Sequence, residues 1–559
     1  MQDSVWLEHY PAEVQPSYDY PKQHLARFMI DSAEKYPDQI AIHFLGKKLT
    51  YKQLLDSTYR MANSLLTLGV QKGDRVAIML PNCPQAVISY YGALLTGAVV
   101  VQTNPLYTER ELKHQLTDSG SEYLITLDIL SKRVNNVLPE TDVKHTIFTS
   151  IKDYLPFPKN VLYPLTLRKD GLSTRVDYST TAHSFKRCLM EADTKPVLVE
   201  VDAERDLALL QYTGGTTGLS KGVMLTHYNL IANTLQTKEW SYQSTEGEER
   251  YLAALPFFHV FGMTVLMNLA MRQAGMLLLL PRFEAETTLK LIDKMKPTIF
   301  PGAPTMYIAL LHHPNIRQYD LSSINICISG AAPLPGEVQE QFESITGGKL
   351  TEGYGLTEAS PVTHANNIWG KRKIGSIGIP FPNTEAKIIN PSTEEELEIG
   401  EVGELLVKGP QIMSGYWNAP AETARVLKDG WLYTGDMAQV DEEGYFYIMD
   451  RKKDIIIAGG FNIYPREVEE VLFEHPAVMD AVVAGIPDEY RGETVKAFLI
   501  LKQGVQVDIE EVDQFCRERL AAYKVPRSFE IRDSLPKTLI GKTLRRKVVE
   551  EELNKQKKA

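Results

Sequence analysis

Short apolar, β-rich runs alternate with helical periodicity over residues 22–127, and again from Asp206 through Ser329. Arg75–Leu80 and Ala98–Val101 in the first stretch are predicted as buried strands, as are Ala274–Leu280, Thr298–Phe300 and Ile324–Ser329 in the second. Strands alternating with helices imply mostly parallel sheets covered by helices, with ligands beyond the carboxyl ends of the strands. From about 374 to 447 the pattern changes to short alternating segments punctuated by Pro380, Pro382, Asn390-Pro391, Gly400, Gly403 and Asp429-Gly430. That change predicts a smaller β-rich subdomain. After the charged run Asp450–Asp454 comes an α+β unit. Its helices are expected around Pro465–Glu474 and Ile509–Arg519, and its strands near Asp480–Gly485 and Val495–Lys502. The expected organisation is an α/β N-terminal domain over 1–449, a hinge at 450–454 and a small α+β C-terminal domain over 455–559. Gly541–Ala559, with seven basic residues, reads mostly as a solvated tail.

A chain of 559 residues exceeds one compact core, so at least two domains are expected. Apolar content of 43% and charged content of 23% describe an ordinary globular protein. The net charge of −11 argues against nucleic acid as the main partner. Cys83, Cys188, Cys327 and Cys516 lie far apart and form no CxxC pair, which disfavours a zinc site or disulfide framework and fits a reducing cytoplasm. No secretory signal is visible at Met1–Glu8. Met263–Leu280 is the most apolar region, but Asn268, Arg272 and Gln273 interrupt it and no membrane span is expected.

The most informative chemistry lies in Tyr212-Thr-Gly-Gly-Thr-Thr-Gly-Leu-Ser-Lys-Gly-Val223. Gly214, Gly215, Gly218 and Gly222 let the backbone approach an anion. Thr213, Thr216, Thr217 and Ser220 offer hydroxyl donors, and Lys221 adds positive charge. Following the apolar run Leu207–Leu210, this is a loop suited to gripping a polyphosphate. It is not the common phosphate loop, because Leu219 stands where that template needs glycine.

Four further motifs follow in order: Tyr354-Gly-Leu-Thr-Glu358, Tyr433-Thr-Gly-Asp436, Arg451-Lys-Lys-Asp454 and Pro536-Lys-Thr-Leu-Ile-Gly-Lys542. Together with Tyr212–Val223 they resemble the acyl-adenylate-forming enzymes, the superfamily of acyl-CoA synthetases, firefly-type luciferases and peptide-synthetase adenylation domains. The resemblance covers essentially the whole chain. Val5-Trp-Leu-Glu-His-Tyr-Pro-Ala12 and Gln102-Thr-Asn-Pro-Leu-Tyr-Thr-Glu-Arg-Glu-Leu112 look specifically like bacterial long-chain fatty-acid–CoA ligases.

The resemblance implies a cradle for ATP formed by Thr213, Gly214, Gly215, Thr216, Thr217, Gly218 and Lys221. Glu358, a hard oxygen donor, would ligate Mg²⁺ with help from Thr213; read alone, Thr357-Glu358 is an ordinary helix start. Tyr354 would lie over the adenine, with Gly330, Ala331 and Ala332 of the loop Ser329–Pro333 on its other face; Glu352, Gly353, Gly355 and Thr357 complete that neighbourhood. Asp436 would accept both ribose hydroxyls, assisted by Arg451, and Lys453 would be the pivot of a mobile C-terminal domain. Lys542 is the expected catalytic lysine, bridging substrate carboxylate and α-phosphate as pyrophosphate leaves. After rotation, Gly459, Gly460 and Phe461 would face CoA.

For the acyl group, Pro256-Phe-Phe-His-Val-Phe-Gly262 is the candidate segment. By that resemblance His259, Gly262, Met263, Gly330 and Gly353 are expected to line its path, although a histidine in an apolar run is usually a core residue. No aspartate stands here to pair a substrate ammonium, which disfavours amino acids. Residues 154–169 are apolar, aromatic and proline-rich with basic edges, and read equally as an interfacial insertion or as a loop packed on the protein surface. The expected activity is therefore an ATP-dependent fatty-acyl–CoA ligase with Mg²⁺, working through an acyl-adenylate on a long-chain acid. An adenylate ligase loading an acyl-carrier protein, a ligase for medium-chain or aryl acids, and a non-catalytic lipid- or nucleotide-binding protein are the competing readings. The expected location is cytoplasmic; contact with the inner membrane face and homodimerisation stay open.

Overall fold

Arg75–Met79, Val99–Gln102 and Tyr123–Leu127 pair side by side in parallel, as mostly apolar segments buried on both faces require. The computed structural model describes residues 5–169, 175–213, 220–458, 461–488, 492–502, 504–505, 507–537 and 543–556. Its compact units are two: residues 7–385 with 408–430, and residues 1–6, 386–407 and 431–559.

In the larger unit those three strands belong to an eight-stranded sheet. Leu207–Thr213 joins it in parallel beside Val99–Gln102, then turns back antiparallel into Lys221–Thr226, with Thr213 opposite Lys221. Gly415–Tyr416 adds a short antiparallel edge to Lys221–Thr226. The phosphate-loop motif thus connects two antiparallel strands rather than a strand and a helix. Thr226 caps the next helix, His227–Trp240, by exchanging hydrogen bonds with Asn229 in a capping box.

A second layer pairs Lys47–Thr50, Ile40–Phe44, Met276–Leu279 and Arg250–Ala253. Ile299 bridges Tyr251 to Ile326, and beyond it come Ile326–Ser329, Lys349–Gly355, Val362–Ala365 and Ile379–Pro380. The strand expected at Thr298–Phe300 contributes only these bridges. Pro297 and Pro301 bracket it, and neither has an N–H to extend a ladder. The predicted strand Ile324–Ser329 forms over Ile326–Ser329, and its parallel partner Lys349–Gly355 puts Ser329 beside Glu352.

The smaller unit contains the strands Glu385–Ile389, Gly403–Lys408, Trp431–Val440 and Phe446–Arg451 in one sheet. A second sheet contains Phe461–Ile463, Ile456–Ala458, Gly492–Leu501, Val478–Asp488 and Ser528–Ile531. The helices Pro465–Phe473 and Ile509–Arg517 bury Val468, Leu472, Val512 and Cys516 in a core with Ala481, Val483, Ala497 and Leu499. The expected solvated tail is instead a helix, Arg545–Gln556. Val548 packs fully buried with Val482, Ala484, Ile486 and Phe498 on the other face of that sheet. Val549 packs partly buried beside it, and buried Glu552 pairs with Lys496 at 2.6 Å, which docks a stretch whose charge content suggests solvent. Among the described residues, no helix is long and apolar enough to cross a membrane.

Candidate active site

In the larger unit the motifs converge at the carboxyl ends of the strands. Thr213 closes Leu207–Thr213, and Lys221 opens the return strand beside it. Gly214, Gly215, Thr216, Thr217 and Gly218 lie outside the described residues. The root of the hairpin is braced from below. Tyr212 donates its hydroxyl to Asp118 Oδ2 at 2.6 Å, and burial first, then the Asp118 carboxylate, raises the phenol's pKa. Trp417 Nε1 and Asn418 Nδ2 both donate to Asp118 O at 3.1 Å. A Cβ on Gly222 would lie 3.2 Å from the Tyr212 ring and 3.3 Å from Trp417.

Lys221 Nζ pairs with Glu422 at 2.7 Å and lies 5.4 Å above the centre of the Tyr416 ring. Lys221 in turn holds the Glu422 carboxyl below its usual pKa. Tyr416 donates to Glu358 Oε1 at 2.7 Å, and the Glu358 carbonyl accepts from Met413 N at 2.9 Å. Glu358 therefore hangs from the short helical turn Thr357–Ala359 with one carboxylate oxygen already oriented. Among the described residues, no group of three or more His, Cys, Asp or Glu forms a metal cage. Magnesium is ordinarily held by one or two carboxylates plus substrate phosphates and water, so Glu358 beside a phosphate-gripping hairpin fits that ion.

The adenine candidates form one wall. Ser329 ends its strand, and Gly330 N donates to Gly302 O at 3.1 Å. A Cβ on Gly330 would meet the Phe261 ring at 3.0 Å and Gly353 O at 3.5 Å, so this loop, the acyl segment and the Glu352–Gly355 strand end touch. Ala331 follows with φ +73°. Glu352 is buried, and its carboxylate accepts from Leu334 N at 3.2 Å; its role here is to brace the turn after Ala332. Tyr354 packs edge-on against His364, ring centres 6.0 Å apart. Burial drives the His364 pKa down to about 3, so that imidazole is neutral. A Cβ on Gly355 would fall 2.1 Å from Pro361 O, and only glycine fits.

On the acyl side, Gln211 Nε2 donates to Phe258 O at 2.9 Å, tying this segment to the hairpin strand. His259 caps the next helix, its Nδ1 accepting from Phe261 N at 3.3 Å. Gly262 presses on the backbone, with a would-be Cβ 2.4 Å from Pro256 O. Met263 is fully buried and opens the wide helical turn Met263–Asn268.

The smaller unit carries the remaining candidates. Asp436 and Arg451 are cross-strand partners, with Arg451 Nε 3.5 Å from Asp436 Oδ1. Buried Glu404 shapes the turn before Asp436: it accepts from Gly435 N at 3.2 Å and pairs with Lys452 Nζ at 2.7 Å. Around Lys453, Arg545 reaches Asp450 at 3.2 Å, Asp454 at 3.0 Å and Glu469 at 2.8 Å. Asp450 also accepts from Arg466 N at 2.7 Å. The backbone of Phe461 pairs with Ala458, while Gly459, Gly460 and Lys542 lie outside the described residues. Lys537 and Thr543 bridge across the stretch that contains Lys542, and Lys537 forms an ion pair with Asp480.

The motifs did not single out Tyr416, Glu422, Asp118, Glu404 or Arg545. The aromatic pair Tyr416-Trp417 in an otherwise polar turn is the one local signal for the first of these.

Residues 30–417 match the family described as AMP-binding enzyme, and residues 467–542 match the AMP-binding enzyme C-terminal domain. The long-chain-fatty-acid–CoA ligase of Bacillus subtilis (strain 168) is 56% identical over 550 residues, covering 98% of each chain. The long-chain-fatty-acid–CoA ligase of Salmonella typhimurium is 39% identical, again over 98% of each. The crystal structure of the anthranilate CoA ligase AuaEII in complex with anthranoyl-AMP superposes with a TM-score of 0.85 at 26% identity, covering 96% of this chain and 99% of that one. A large α/β domain, a β-rich part and a small C-terminal domain are thus shared with acyl-CoA ligases, and this chain belongs to the AMP-binding enzyme family.

Proposed function

We propose that the chain is an ATP-dependent fatty-acyl–CoA ligase acting on long-chain acids. The observation that carries this reading is Glu358, fixed by Tyr416 beside the Thr213–Lys221 hairpin end and the glycine wall at 330, 353 and 355. The identity to the Bacillus subtilis ligase supports the same chemistry and substrate.

A carboxylate is a poor acyl donor because its oxygen leaves badly. In the first step a fatty-acid carboxylate oxygen attacks the α-phosphorus of ATP, and pyrophosphate departs. Bound at Glu358, magnesium would neutralise phosphate charge. Main-chain N–H groups and hydroxyls of 213–220 hold the triphosphate, and Lys542 offsets charge where carboxylate and α-phosphate meet. Asp436, with Arg451 alongside, accepts the ribose hydroxyls. Tyr354 and the 330–332 loop enclose the adenine. In the second step the CoA sulfur attacks the acyl carbonyl, AMP leaves, and the thiol proton passes to solvent. Gly459 and Gly460 leave room for the pantetheine arm, and Lys453 is the pivot between the steps. Four free cysteines suit a reducing cytoplasm.

Release of AMP and pyrophosphate with Mg·ATP across acetate, octanoate, palmitate, oleate and benzoate, with and without CoA, tests the reading. CoA-dependent AMP formation peaking at palmitate or oleate is expected. Pyrophosphate release indifferent to CoA points to a carrier-protein acceptor, a peak at a short or aromatic acid overturns the substrate, and no exchange at all leaves only a binding protein.

A further inference from the structure

Lys221 opens the return strand of the phosphate hairpin in the larger unit, and its backbone is fixed there. It pairs with Thr213 across the hairpin, and the carbonyl of the preceding Ser220 lies 3.0 Å from His114 Nε2. Only the four-carbon stem is free to swing. Its ammonium rests 2.7 Å from Glu422 Oε2, with the lysine side chain 30% exposed and the glutamate 37%.

The carboxylate has a second partner of its own. Arg425, one turn along the same short helix Pro420–Val426, reaches Glu422 Oε1 at 2.8 Å. That helix is tied to the hairpin independently of the ion pair. Thr423 Oγ1 accepts from Tyr416 N at 2.9 Å, and Trp417 N donates to Gly222 O at 2.7 Å. Glu422 therefore stays beside the strand whatever the ammonium does. If the ammonium leaves, the carboxylate keeps Arg425 and water and is not stranded.

An ion pair this open to solvent is weak. Phosphate oxygens offer the same ammonium stronger, charge-assisted bonds. The Tyr416 ring centre lies 5.4 Å from the ammonium, and the Tyr416 hydroxyl holds Glu358 at 2.7 Å. One tyrosine thus carries both the lysine and the candidate magnesium carboxylate, so a magnesium-bound phosphate at Glu358 comes within the swing of the lysine stem.

We infer that Glu422 is the resting partner of Lys221, exchanged for pyrophosphate oxygens when Mg·ATP binds and regained as pyrophosphate leaves. The inference rests on the ligase reading and adds a competitor to its phosphate site. A carboxylate that orients the lysine in the loaded site supports ligand binding, and its removal weakens affinity. A carboxylate that competes for the lysine opposes binding, and its removal tightens affinity. The sign separates the two roles.

Calorimetric titration of the full-length chain with magnesium pyrophosphate, Mg·ATP and AMP tests this. Glu422→Gln should tighten pyrophosphate and ATP about three- to fivefold and leave AMP, which lacks the leaving group, unchanged. The Glu422 side chain reaches solvent, so the variant should keep the native Tm. Lys221→Met should weaken both ligands, and adding Glu422→Gln to it should bring no recovery, because the competed ammonium is gone. Unchanged or weaker pyrophosphate binding in Glu422→Gln overturns the inference. Equal tightening of AMP, or equal tightening on the Lys221→Met background, overturns it too and reduces the effect to net charge. Binding is read without turnover, so a native chain that binds pyrophosphate but forms no acyl-adenylate counts against the ligase reading alone.

Discussion

Tyr416 donates its hydroxyl to Glu358 Oε1 at 2.7 Å across 58 positions of sequence. Burial first, and then the Glu358 carboxylate, raises the tyrosine's pKa, so the hydroxyl stays a donor throughout the working range. The tyrosine positions the carboxylate and leaves its other oxygen for a cation. Tyr416→Phe should therefore raise the magnesium concentration giving half-maximal adenylation on the order of tenfold or more, as loss of a hydrogen bond to a charged group implies. Pyrophosphate release in a magnesium titration, with Tm as the folding check, measures it. An unchanged magnesium dependence would remove Tyr416 from the site.

Lys542→Ala should separate the two half-reactions. Adenylation should fall on the order of 10²–10³, while thioester formation from supplied acyl-AMP and CoA stays near the native rate. Single-turnover assays of each step decide it. Equal loss in both would mean that the lysine serves the whole site rather than the first step.

Gly355→Ala probes the adenine wall. Its methyl would fall 2.1 Å from Pro361 O, so the strand end must shift. We expect a loss of roughly 2 kcal/mol or more in stability together with weakened ATP binding. Denaturation and nucleotide titration measure the two, and a variant with native values of both would show that the strand end has slack.

Buried histidines set the acid side of the stability profile. Burial lowers His24 to about 4 and His364 to about 3, from an ordinary 6.5. Their folded pKa values are depressed, so below pH 6.5 the unfolded chain takes up protons that the folded chain refuses. Stability should fall as pH drops from 6.5 toward 4, by about 2 kcal/mol per histidine at pH 5. Urea melts between pH 7.5 and 5 report the slope. A flat profile would mean that these rings are protonated in the folded chain.

Local pattern carried the strands at Arg75–Met79 and Val99–Gln102 and the helix at Pro465–Phe473, because a run of branched apolar residues or an amphipathic period is a local property. Glu358, Asp436 and Lys221 could be singled out as candidates because each stands in a motif among glycines and hydroxyls. Their partners could not. Tyr416 lies 58 residues from Glu358, Glu422 lies 201 from Lys221, and Arg545 lies 95 from Asp450. Nothing within a turn of those residues announces the pairing, since only the fold brings them together. The helix Arg545–Gln556 escaped for a related reason: beside Val548 and Val549 its inward side carries Arg545 and Glu552, which are neutralised by residues far away in sequence.

The bridge between Lys537 and Thr543 joins the two flanks of the motif that contains Lys542. Lys537 is also tied to Asp480 on the strand Val478–Asp488, and Thr543 stands two residues before the helix Arg545–Gln556. The two flanks of the motif therefore share one footing, and whatever displaces that sheet and helix carries both flanks together.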